Sequence, residues 1–354
     1  MRLRTAFGVI ALRVWRGKNP ADGTWGIPIR QHWGLTPHQQ LSPALEDKLG
    51  YFATVTGTYE MAAQLARKVG VPIEDSTVRA LVQRLGARAD AQTQARLKTV
   101  PREKAPAAAP SALAVVMFDG CQLRHRGRGW GKKKTKEPRV AWHEQKVGVF
   151  YRHEQNAAGQ LTQKVVVNCQ GPPVELGERL HWEAMRAGLG RARQTLAVSD
   201  GAPWIWHLVE GRWRGAHQLL DFYHASQHLH ALGAALHGPN EAATRAWVLP
   251  RRRRLRRGAA ARLLRELRAL PPPVGEAGEV VRREQAYLAT HAARMNYRDL
   301  APSGPIGSGA VESLCGQLQK RFKVSGQFWR RRGLTHLLRI CVLFRNKDEK
   351  HLWN

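Results

Sequence analysis

Acidic residues and paired cysteines are scarce in this 354-residue chain, which sets 27 Asp and Glu against 57 Lys and Arg for a formal charge of +30. Such an excess draws polyanions, nucleic acid first among them. Its four cysteines (Cys121, Cys169, Cys315, Cys341) are scattered, with no C-x-x-C pair. That excludes a disulfide framework or a zinc ribbon and suits a reducing cytosol. No apolar run approaches the roughly 20 residues that cross a bilayer. The start, "MRLRTAFGVIALRVWRG", meets Arg13, Trp15 and Arg16 without a small-residue cleavage signal. Neither a membrane partner nor a signal peptide is therefore expected, and the location implied is cytoplasmic and nucleoid-associated. A content of 43% hydrophobic residues is enough for two or three compact units.

Residues 1–45 read as a short hairpin and a loop. From Ser42 the pattern turns helical, with Pro43 at the first helical position. Within the helical region 46–100, residues 58–86 have the size and spacing of a helix-turn-helix, with Arg79, Arg84 and Arg88 on or just past a second helix opened by Ser76. An ordinary helical hairpin fits the same pattern. Residues 101–112, rich in Pro and Ala, read as a linker.

An α/β region follows over 113–224. It comprises a buried strand ending at Asp119, strands at 145–153 and 161–169 joined by a loop containing Asn156 and Gly159, a helix, a buried strand leading to Asp200, and a strand at 217–224. Residues 225–305 are helical segments broken by Pro and Gly. In 306–354 the glycines of "GSGAVES" give way to a helix carrying Glu312, followed by a basic tail.

"FDG" at 118–120 and "SDG" at 199–201 each place a carboxylate at the end of an apolar run. A buried charge is costly unless a cation offsets it, and glycine permits a close approach. Alone, each Asp reads as a turn or cap residue. Together with Glu312 in a strongly basic chain, Asp119 and Asp200 read as hard oxygen ligands for Mg²⁺, which takes few carboxylates plus substrate phosphate and water. Two such ions, with Mn²⁺ as a substitute, serve phosphoryl transfer. His224 and His228 share a helix face, but "HASQH" lacks the glutamate of H-E-x-x-H and a third ligand, so zinc is not expected.

Four stretches, "FDG" (118–120), "SDGAPWIW" (199–206), "LLDFYHASQHL" (219–229) and "GSGAVES" (307–313), resemble the bacterial insertion-sequence transposases of the ISKra family, DDE transposases with an RNase H-like catalytic core. The likeness spans about residues 40–345. It implies an RNase H-like mixed sheet with Asp119, Asp200 and Glu312 as the catalytic and metal-binding triad, and an all-helical insertion at 225–305. It also implies a supporting D-x-x-H motif, Asp221 and His224, in which His224 contacts the scissile region or orients catalytic groups. The implied activity is metal-dependent cleavage at transposon ends and transfer of the 3′-OH strand to target DNA, by a homodimer or larger assembly. Relatives carry cysteine pairs after the N-terminal hairpin and this chain does not, so its N-terminal DNA-recognition part is expected to be built differently.

Basic clusters mark where DNA would lie. Arg126, Arg128, Lys132, Lys133 and Lys134 belong to a Gly-rich stretch at 124–139, expected as a turn tracking phosphates. "RRRRLRR" occupies 251–257. Arg321, Lys323, Trp329, Arg330 and Arg331 follow Glu312, with Trp329 either stacking on an unpaired base or packing internally. Two rivals remain: an RNase H-like nuclease without strand transfer, and a non-catalytic DNA-binding protein derived from a decayed element.

Overall fold

The computed structural model describes all residues except 37–38, 99–110, 155–160, 162, 189–191, 301–303 and 354. The expected loop at Asn156 and Gly159, and residues 101–110 of the expected linker, lie outside the described residues. The chain forms two units, each discontinuous in sequence. One gathers Met1–Arg96, Leu123–His143 and Gln317–Asn354, the other Leu97–Gln122 and Glu144–Gly316.

In the first unit Arg2–Thr5 pairs antiparallel with Gly8–Ala11, and beyond a second short hairpin and the helical turn Pro28–His32 come α1 (Pro43–Val55), α2 (Tyr59–Lys68) and α3 (Asp75–Lys98). The Ser42 side chain caps α1 by accepting from the Leu45 N–H, and Thr58 caps α2 by accepting from Met61. Each cap satisfies an amide that the helix leaves unpaired. The second helix of the expected helix-turn-helix is α3, 24 residues long and beginning one residue before Ser76. Leu49, Ala53, Ala66, Val78, Val82 and Leu85 are buried. The C-terminal helix Arg331–Asn346 approaches Gly86 so closely that any side chain there would overlap His336.

The second unit is built on five strands: β1 (Ser111–Arg126), β2 (Val140–Arg152), β3 (Lys164–Cys169), β4 (Ala192–Ser199) and β5 (His217–Leu220), in the order β3-β2-β1-β4-β5. The sheet is mixed: β2 and β3 run antiparallel, whereas β4 is parallel to both β1 and β5. Parallel neighbours need crossover connections, and β4 and β5 are joined through α5 (Pro203–Arg212), with α4 (Pro173–Arg186) between β3 and β4. One sheet face, carrying Ala114, Val116 and Phe118, packs on Leu176 and Leu180 of α4 and Ile205 and Val209 of α5. Phe118 also sets a glycine: a Cβ at Gly148 would lie 3.1 Å from its ring and 3.0 Å from Leu180. After β5 come α6 (Phe222–His237), α7 (Glu241–Arg256), α8 (Ala260–Arg268), α9 (Glu276–Thr290) and α10 (Gly309–Phe322).

Three boundaries differ from the sequence reading. β1 does not end at Asp119. The apolar run gives way to an alternating one, with Cys121, Leu123 and His125 buried, so the strand continues half-buried to Arg126 and the expected turn shrinks to 127–139. β5 stops at Leu220, because the Asp221 carboxylate accepts from the N–H groups of Tyr223 and His224 and starts α6. Pro250 sits inside α7 instead of breaking it. No helix among the described residues is long and apolar enough to cross a membrane.

Candidate carboxylate site

Val116 of β1 is paired with Ala197 of β4. Continuing that parallel register three residues brings Asp119 level with Asp200, and strand alternation turns both to one face, opposite the α4 and α5 core. Asp119 is partly buried and its carboxyl is raised above the ordinary range, first by desolvation and further by the charges of Asp200 and Glu312, against the pull of hydrogen bonds from Cys315 and the Gly120 N–H. Asp119 therefore feels both of the other acids. A Cβ at Gly201 would overlap the Tyr287 ring and hydroxyl, which explains that glycine, whereas one at Gly120 would meet only the far end of the Glu144 side chain, which can swing aside.

Glu312 lies in the first turn of α10, exposed, and its Oε1 accepts from Ser308 Oγ at 2.7 Å. Ser308 Oγ also stands 2.6 Å from Asp221 Oδ2, which takes the Ser308 N–H as well. Asp221 is 1% exposed. One of its oxygens caps α6 and the other holds the start of α10, so this residue fastens the glutamate helix to the end of the sheet. Three residues past Glu312, the Cys315 thiol reaches both Cys121 and Asp119; hydrogen bonding to Cys121, burial and the Asp119 charge keep it protonated.

Among the described residues, no three His, Cys, Asp or Glu side chains converge as a preassembled set of metal ligands. Each acid instead turns to a local donor: Asp119 to the Gly120 N–H at 2.6 Å, Asp200 to the Ala202 N–H at 3.0 Å, Glu312 to Ser308. The donors are all hard carboxylate oxygens, one of them held protonation-prone by its neighbours, and this set suits Mg²⁺ or Mn²⁺ better than a soft or imidazole-seeking metal.

His224 occupies the first turn of α6, its N–H bonded to Asp221. Its Nε2 is 3.3 Å from His228 Nε2, and His228 Nδ1 pairs with Glu284 of α9. Tyr287 stacks on His228 with centroids 3.6 Å apart.

All the expected DNA-binding residues fall in the first unit. Arg126, Arg128, Lys132, Lys133, Lys134, Arg330 and Arg331 are exposed, Arg126 with its guanidinium 5.2 Å from the Trp130 ring. Lys323 reaches Gln319 and lies 5.8 Å from the exposed Trp142 ring. Arg321 departs from expectation. It is 5% exposed, donates to the Ala53 and Gly57 carbonyls, and lies against Tyr59, Phe322 and Trp329, so it serves packing and has no face for a phosphate. Trp329 is half-buried; its indole N–H donates to the Phe322 carbonyl at 3.0 Å and its backbone bonds Arg124 and Arg126.

Ser308, Cys315, Glu284 and Tyr287 were missed from sequence. Ser308 has a local signal, a serine immediately before the glutamate helix and four residues from Glu312; the others are joined to the site only by folding.

Two buried histidines give the fold a pH dependence. Burial, His143 and Arg331 depress His125 to about 4, and burial, Arg294 and His228 depress His291 to about 4. A base depressed in the fold is protonated first in the unfolded chain, so stability is present above about pH 6.5 and is lost as pH falls toward 4. The loss is at most about 3 kcal/mol per histidine. Denaturation midpoints between neutral pH and about pH 4.5 should fall steeply in the wild type and more shallowly in His125→Gln/His291→Gln; equal slopes would contradict the assignment.

No described protein family and no curated protein sequence matches the chain. A solved structure, the Drosophila P element transposase strand transfer complex, aligns with 87% of this chain and 79% of its own at 12% identity and a TM-score of 0.28.

Proposed function

We propose that the chain is a DDE transposase of the ISKra type, with an RNase H-like core that cleaves DNA at element ends and joins the freed 3′-OH to target DNA. The observation that carries the reading is Asp119 on β1 within reach of the charges of both Asp200, one residue past the end of the parallel strand β4, and Glu312, with Cys315 of the Glu312 helix bonded to Asp119. The strand order β3-β2-β1-β4-β5, with one antiparallel arm and two parallel crossovers, supports the same reading.

In this proposal Asp119, Asp200 and Glu312 hold two Mg²⁺ ions, for which Mn²⁺ substitutes. When bound, the ions supply activation of the attacking oxygen and stabilisation of the leaving one. Asp221 and Ser308 fix the direction of Glu312, and Cys315 holds Asp119 from behind. His224 supports the reacting groups. Arg126, Arg128, Lys132, Lys133, Lys134, Lys323, Arg330 and Arg331 bind phosphates, a salt-sensitive contribution. Because two ends are joined to one target, the working form is a homodimer or a larger assembly on DNA.

The test pairs a thermal shift with nicking. Mg²⁺ at 100 times its Kd should stabilise the protein by about 2.7 kcal/mol, and the same titration should switch on nicking of labelled DNA that carries the element's ends. Stabilisation absent in both Mg²⁺ and Mn²⁺ would contradict the metal assignment.

A further inference from the structure

We propose that Glu284 and His228 are positioning residues that fix the tautomer of His224, so that its Nε2 carries the proton and its Nδ1 presents a lone pair. The inference rests on the transposase reading only for what that lone pair is used for; the tautomer follows from the hydrogen-bond chain alone.

The chain runs across α9 and α6. Glu284 is 4% exposed. Its Oε1 accepts from the Arg283 guanidinium, Nε at 2.9 Å and NH2 at 2.8 Å. Oε2 pairs with His228 Nδ1. An ionised carboxylate only accepts, so His228 Nδ1 must carry the proton. Burial lowers the pKa of His228, with the neighbouring His224 and Arg283 adding to it and Glu284 opposing. In the resulting neutral ring Nε2 is an acceptor. His228 Nε2 and His224 Nε2 stand 3.3 Å apart, and two lone pairs would repel at that distance. The proton between them therefore belongs to His224 Nε2. That leaves Nδ1 of His224 unprotonated in the neutral ring.

Packing removes the rings' freedom to rearrange. Tyr287 lies flat on His228 with an interplanar angle of 18° and meets His224 edge-on at 5.9 Å. The His224 backbone is tied to Asp221. Such a chain lets a carboxylate select one of two imidazole nitrogens from a distance. Within the transposase reading, His224 then accepts a hydrogen bond or a proton from the DNA or from water, and does not donate one.

Exchanging the carboxylate for an amide gives a directional test. In Glu284→Gln the Arg283 guanidinium still claims the side-chain oxygen, which turns the NH2 toward His228 Nδ1. His228 must then become the Nε2–H form, His224 Nε2 becomes the acceptor, and the His224 proton moves to Nδ1. Long-range proton–nitrogen spectra of the histidine-labelled full chain at about pH 8, where an ordinary histidine is neutral, read both tautomers without metal or DNA. The expected result is Nε2–H at His224 in the wild type, Nδ1–H in Glu284→Gln and a mixture in Glu284→Ala. A wild-type His224 protonated on Nδ1 would overturn the proposal, whether or not the variants fold. So would a wild-type spectrum that changes on adding a chelator, which would mean that a metal ion joins the two Nε2 atoms. Strand cleavage by Glu284→Gln should fall about 10²-fold with the Mg²⁺ thermal shift retained. Should the wild type itself fail to cleave DNA, the transposase reading fails while the tautomer result stands or falls on the spectra.

Discussion

Asp119→Asn is expected to abolish metal-dependent strand cleavage, by at least about 10³-fold, since losing several kcal/mol of charge stabilisation costs a factor of ten for each 1.36 kcal/mol. The same substitution should raise the melting temperature of the metal-free protein. Asparagine keeps the size of the side chain and an oxygen for the Gly120 N–H and the Cys315 thiol. It removes a charge that burial, Asp200 and Glu312 all oppose. The sign is fixed by linkage: an acid whose pKa is raised in the fold contributes stability below its unfolded pKa and loses it as pH rises through the folded one, so at neutral pH the cost is present. Cleavage of labelled DNA and a thermal melt, each with and without Mg²⁺, check the two halves. A variant that still cleaves within tenfold of wild type, or that melts lower without metal, would contradict the role assigned to Asp119.

The second large effect falls on Asp221, which touches no expected metal position. Its carboxylate, itself 1% exposed, accepts the N–H groups of Tyr223, His224 and Ser308 and lies 2.6 Å from Ser308 Oγ. Asp221→Ala removes a helix cap, typically worth about 1 kcal/mol, and strands the Ser308 N–H, at about 1–3 kcal/mol for a buried unpaired donor. A loss of roughly 3 kcal/mol is expected in chemical denaturation. Asp221→Asn is the sharper variant. Its oxygen can still cap α6, but its NH2 then faces the Ser308 N–H, donor against donor, so Ser308 and Glu312 should be displaced and cleavage lost even where most stability survives. Full activity in Asp221→Asn would show that Ser308 and Glu312 do not depend on it.

How much of this was legible in the sequence differs by residue. The strand leading to Asp200 could be read because three apolar residues in a row, Leu196 to Val198, fit a buried parallel strand. The far half of β1 could not, since its buried residues alternate and follow a glycine that looked like an end. The sequence places Asp221 inside a strand over 217–224 because Phe222 and Tyr223 favour strands by composition; the carboxylate cap overrides that preference locally. Arg321 shows the limit of charge counting: a guanidinium among aromatic rings and carbonyls is indistinguishable in sequence from one facing phosphate. Glu284 lies 56 residues from His228 and had no local pattern to announce it.

The most direct test of the central claim is strand joining by the wild-type protein on a pre-cut element end with a free 3′-OH, in Mg²⁺, followed as a labelled product longer than either substrate. The account predicts a joined product that appears with Mg²⁺ or Mn²⁺ and disappears in Asp119→Asn. Nicking of the DNA with no joined product in either metal would contradict it and leave a nuclease in place of a transposase.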